Sequence, residues 1–118
     1  MRVLIVEDEM LIAQSTKMQL VKEGIDVKGI ARSSESFWKK MDDSVSIVLM
    51  DVKLKHNESG IELAKEVHVK YPNLPIIFTT GNTRKFEESS FENTENISIL
   101  NKPIVSSELV DLIRLMVS

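Results

Sequence analysis

The chain has 118 residues, 42% hydrophobic and 28% charged, which suits one globular domain with a single core and excludes a disordered chain or a fibrous repeat. A formal charge of −3 and a pI near 5.4 speak against a duplex-binding surface, which carries a basic stripe, so no nucleic-acid partner is expected. The absence of cysteine removes disulfides and thiolate metal sites.

In chain order, the first apolar run, Val3 to Val6, has strand length and is broken at once by Glu7-Asp8. It is too short for a signal peptide or a membrane span, so the expected location is cytoplasmic. Met10 to Glu23 follows as a helix, with Leu11, Ile12 and Leu20 able to face the core, Ser15, Thr16 and Gln19 interrupting the stripe, and Gly24 as a natural stop. Ile25 to Ala31 is the second strand. The next helical segment carries Phe37 and Trp38 as packing residues and ends at the polar pair Asp42-Asp43. Val45 to Met50 is the third strand; it delivers Asp51, and a polar loop then runs into Ser59-Gly60. In the helix from Gly60 to Tyr71, Leu63, Val67 and Tyr71 share a side beside Ile61 and Ala64, and Pro72 ends it. Pro75 to Phe78 is the fourth strand, closed by Thr79-Thr80-Gly81. Thr83 to Phe91 is a weak helical segment with Phe86 and Phe91 as its large apolar residues. Ile97 to Leu100, the fifth strand, leads to Asn101-Lys102-Pro103, where the X-Pro bond is open to the cis form that would aim the lysine inward. In the last helix Leu109, Leu112, Ile113 and Met116 make an inward stripe, with Ser106 or Ser107 as its cap. The six methionines, spread along the chain, read as fillers of core gaps.

The strands are continuous apolar runs rather than alternating ones, as expected where both sheet faces are covered, and they alternate regularly with helices. That pattern predicts an α/β fold: one flavodoxin-like, doubly wound (βα)5 domain over residues 1–118, with a parallel five-stranded sheet of order 2-1-3-4-5. Ligands of such sheets bind beyond the carboxyl ends of the strands where the order reverses, here between the first and third strands. Glu7, Asp8 and Asp51 would converge there. Three like charges repel unless one takes a proton or a cation sits among them, and an all-oxygen cluster suits Mg2+. With the hydroxyls of Thr79-Thr80 and the ammonium of Lys102 at neighbouring strand ends, the crevice suits a phosphoryl group, which an aspartate can accept as nucleophile.

The acidic pair in "VEDE", the aspartate in "LMDVKL", the threonine in "IIFTTG" and the lysine in "NKPI", each following a predicted strand, resemble a response-regulator receiver domain, the phospho-acceptor module of two-component signalling. The resemblance covers essentially the whole chain. It implies that Asp51 accepts a phosphoryl group from a phosphohistidine on a sensor histidine kinase or a histidine phosphotransfer protein. Asp8 and Asp51 would hold Mg2+ directly, Glu7 through a water and Lys53 through its backbone carbonyl. Thr80 and Lys102 would bind phosphoryl oxygens. Such a module is not an enzyme acting on a free metabolite; it catalyses only its own phosphorylation and dephosphorylation. A phosphorylation-dependent dimer, if formed, would use the surface around the fourth helix, fifth strand and fifth helix.

The chain departs from the family pattern at three places. Ile99 stands where a switching Tyr or Phe is usual, so it either fills core or leaves the signal to backbone and fourth-helix shifts. The Lys53 side chain either lies in solvent or sits over the phosphoryl group and alters attack by water. The loop Lys55-His56-Asn57-Glu58 looks one residue longer than in chemotaxis-type regulators, as in receivers found alone or attached to sensor kinases. His56 and His68 read as solvated. An aspartate-nucleophile phosphatase would want an acid where Lys53 stands, and a flavodoxin-like cofactor binder would not place Glu7-Asp8-Glu9 in its phosphate loop. An unphosphorylated docking domain on the same fold stays open. So do a stand-alone regulator, a piece of a longer one and the receiver of a hybrid kinase.

Overall fold

The structure is a computed structural model in which residues 1–81 and 95–117 are described. In order come β1 (Arg2–Val6), α1 (Met10–Lys22), β2 (Asp26–Ala31), α2 (Ser34–Lys40), β3 (Ile47–Asp51), a 3-10 turn (Lys55–Asn57), α3 (Gly60–Lys70), β4 (Ile76–Thr80), β5 (Ile97–Asn101) and α4 (Ser106–Val117). The helical segment expected from Thr83 to Phe91 lies outside the described residues.

All strand pairs are parallel and the sheet order is β2-β1-β3-β4-β5, as the alternation of elements predicts. Side chains alternate between the two faces. Leu4 and Val6, Val48 and Met50, and Ile76 and Phe78 join Phe37 of α2 and Ile61, Leu63, Ala64 and Val67 of α3 in one core layer. Val3 and Ile5, Ile47 and Leu49, and Ile77 join Ala13 and Leu20 of α1 and Leu109, Val110 and Ile113 of α4 in the other. Burial on both faces is the reason the central strands read as unbroken apolar runs. The edge strands β2 and β5 are only half-buried over most of their length.

Several local expectations need correction. Leu11 is 87% exposed; Leu20 is buried as expected, and Ala13 and Thr16 complete the inward face of α1. Thr16 is tolerated there because its hydroxyl donates to the Ile12 carbonyl at 2.9 Å. Neither Ser106 nor Ser107 caps the last helix: Val105 O accepts the first intrahelical bond, from Leu109 N–H at 3.0 Å, which puts both serines inside the first turn. His68 is not simply solvated, since its Nε2 lies 2.9 Å from Leu74 O and ties the end of α3 to the approach to β4. Met41 and Met50 fill core, but Met1, Met10 and Met18 are exposed. Phe37 and Trp38 do pack, edge to face at 5.0 Å. Asp42, just past α2, pairs with Lys28.

Candidate functional site

Register places the acids. Val6 pairs with Met50, so the residues that follow, Glu7 just past β1 and Asp51 at the end of β3, stand side by side at the switch point. Glu7 and Asp51 are both buried, and Asp8 is half-buried at the start of the β1–α1 turn. One carboxylate oxygen from each of the three lies within 4.8 Å of the others. Lys102, just past β5, reaches back from the far side of the crevice. Its Nζ stands 3.2 Å from Glu7 Oε1 and 3.1 Å from Asp51 Oδ2. The Lys102–Pro103 peptide is cis, and Lys102 N–H donates to Thr80 O at 2.8 Å, joining the ends of β4 and β5.

Two backbone groups orient the acids: Lys53 N–H donates to Asp51 Oδ1 at 3.2 Å and Glu9 N–H to Glu7 Oε2 at 3.2 Å. A cleft of about 530 Å³ opens above them, with Asp8, Asp51, Lys53, Thr80, Gly81 and Lys102 in its wall. Thr80 lines it while Thr79 pairs with Asp51 inside the sheet, and a Cβ on Gly81 would meet nothing within 4 Å. The Lys53 side chain is exposed, and Ile99 is half-buried against the core layer that holds Phe78.

The electrostatics follow from this crowding. Burial, then the hydrogen bond and charge of Asp51, push the Glu7 carboxyl up to about 7. Burial works against the Lys102 ammonium, but Asp51 and then Glu7 outweigh it and hold the lysine above its ordinary value. The cluster is thus short of positive charge, and its donors are hard oxygens in near contact, a set that fits a small divalent cation.

Gly60 is a part of the site that sequence reading passed over. As the first residue of α3 it donates N–H to Val52 O at 2.7 Å, and a Cβ there would fall 2.0 Å from Asp51 O. A glycine inside the first turn of a helix, where it costs stability, was the available signal. Glu58 was missed as well: its carboxylate accepts from Ser34 N–H at 3.1 Å and Ser34 Oγ at 2.5 Å, bonds that hold it below the usual carboxylate range.

The family model described as "Response regulator receiver domain" matches residues 3–114. The transcriptional regulatory protein DltR of Streptococcus agalactiae is 28% identical over 98% of this chain, which spans about half (51%) of that protein. Among solved structures, the CheY-like receiver domain protein of Methanospirillum hungatei is 29% identical, with a TM-score of 0.79 over 98% of this chain and 92% of that one. The receiver domain of a modulated diguanylate cyclase from Desulfovibrio desulfuricans is 31% identical, with a TM-score of 0.83 over the same shares, 98% and 92%. The chain belongs to the response-regulator receiver family. Its role is that of a receiver domain in two-component signalling. No helix among the described residues is long and apolar enough to cross a membrane.

Proposed function

We propose that Asp51 is the phospho-acceptor and that the acidic cluster works with Mg2+. The observation that carries this reading is a buried carboxylate that pairs with a lysine and is crowded by two further acids. One Asp51 oxygen attacks the phosphorus of a phosphohistidine on a sensor histidine kinase or a histidine phosphotransfer protein. The N–P bond breaks, its electron pair returns to the imidazole, and Asp51 becomes an acyl phosphate. A bound Mg2+ would neutralise the cluster and offset charge on the phosphoryl oxygens. Asp8 and Asp51 would hold it directly, Glu7 through a water and Lys53 through its carbonyl. The Lys102 ammonium moves its pairing from the Asp51 carboxylate to a phosphoryl oxygen, and the Thr80 hydroxyl donates to another. In dephosphorylation water attacks phosphorus, the bond between phosphorus and the Asp51 oxygen breaks, and inorganic phosphate leaves with the carboxylate restored. The domain therefore catalyses only its own modification, in the cytoplasm, and hands a changed surface to an output partner.

The test is intact mass after incubation with acetyl phosphate and Mg2+, beside Asp51→Asn and an EDTA control. A phosphoryl adduct of about 80 Da that needs the metal and Asp51 is expected, one phosphoryl group replacing one proton. No adduct, with no beryllofluoride binding either, would move the unphosphorylated docking reading ahead.

A further inference from the structure

The two loops that carry the expected cation ligands are held by one short segment that touches neither carboxylate of Asp8 or Asp51. Just past β2, Arg32 donates from Nε at 3.2 Å and from Nη2 at 3.0 Å to the backbone carbonyl of Asp8. Ser34, the first residue of α2, donates its N–H at 3.1 Å and its hydroxyl at 2.5 Å to the Glu58 carboxylate, on the loop that begins with Lys53. The segment between these arms is internally tied. Ser36 Oγ accepts from the N–H of Arg32 at 2.9 Å and of Ser33 at 3.2 Å, while Ser33 Oγ accepts from Ser36 N–H at 3.2 Å. The far loop is tied too: Lys53 bridges to Ser59, and Leu54 N–H donates to Glu58 O at 2.9 Å. His56 and Asn57 sit in the left-handed region with φ of 59° and 60°, a cost that persists only where the surroundings over-determine the backbone.

We infer that Arg32 and Ser34 are positioning residues, the two arms of a brace that sets the Asp8 carboxylate and the Lys53 carbonyl at the spacing a divalent cation requires. The inference rests on the reading of Asp8 and Lys53 as cation ligands. Mg2+ tolerates little departure from octahedral geometry, so freeing either loop weakens binding without touching a ligand. The sign of the effect separates positioning from charge. Arg32 is a cation near an acidic site, so by Coulomb repulsion alone its removal would tighten cation binding. As a brace, its removal loosens it.

The experiment measures Mn2+ binding to the whole chain by the loss of the free-ion EPR signal, with Mg2+ as competitor, for the parent, Arg32→Met, Arg32→Lys and Ser34→Ala. Each protein's melting temperature is recorded in EDTA. Arg32→Met and Ser34→Ala are each expected to bind Mn2+ about tenfold more weakly, the usual scale for losing an outer-shell partner, with Arg32→Lys in between. Unchanged or tighter binding by Arg32→Met overturns the proposal, as does a lowered melting temperature with unchanged affinity. If the parent itself shows no Mn2+ binding that Mg2+ displaces, the cation site fails and the brace fails with it, an outcome seen in the parent and not only in the variants.

Discussion

Glu7 lies in a buried pair of acids, and its raised pKa of about 7 makes a statement about stability. Between the ordinary glutamate value and 7, the folded chain keeps a proton that the unfolded chain has released. Without a cation, stability therefore falls as pH rises through that window, by up to about 3 kcal/mol. Unfolding in urea with EDTA from pH 4.5 to 8 should show this slope, and Glu7→Gln should flatten it. Lys102→Met leaves Glu7 and Asp51 facing each other without their ammonium. It is expected to lower stability in EDTA at pH 8 by about 1–3 kcal/mol, with part regained on adding Mg2+. At this scale the acids and the lysine were legible in sequence because each follows a strand end. Arg32 was not, because its partner is a backbone carbonyl that every residue possesses.

Among the elements, the close contact between the start of α3 and the end of β3 constrains Asp51, the proposed acceptor. Gly60→Ala would drive a methyl into Asp51 O, a backbone atom that cannot rotate away. A loss of about 1–3 kcal/mol is expected, with a reduced yield of phosphorylated protein as Asp51 shifts. Ser59→Ala removes only the cap to Glu62 N–H at 3.3 Å, so about 1 kcal/mol and near-normal phosphorylation are expected. Comparing the two by chemical denaturation and intact mass separates displacement of Asp51 from weakening of the helix. The stripes of α3 and α4 were readable because large apolar residues recur on one side. That of α1 was not, since its inward face holds Ala13 and Thr16, which no hydrophobic pattern selects.

Across the whole molecule, the sheet joins the site to both core layers, so an ion bound at the switch point is read out as global stability. Mg2+ at ten times its dissociation constant should stabilise the fold by about 1.4 kcal/mol, a rise of about 4–6 °C in melting temperature. Asp51→Asn should lose most of that rise, and an equal rise in this variant would place the ion elsewhere. The half-buried Ile99 packs as core and offers no ring to swing, so phosphorylation is expected to leave ring signals at the β4–β5 edge unperturbed by any aromatic rotamer change.

The sequence by itself determined the order of the described elements, the two-faced sheet and the set of acids, hydroxyl and lysine, because periodicity and strand-end position are local properties of the chain. Only the tertiary structure decided which acids crowd against one another and against Lys102, why Gly60 must lack a side chain, and how one segment after β2 grips two loops. Those facts depend on distances of a few ångströms between residues far apart in sequence, and burial at the switch point gives those distances their energetic weight.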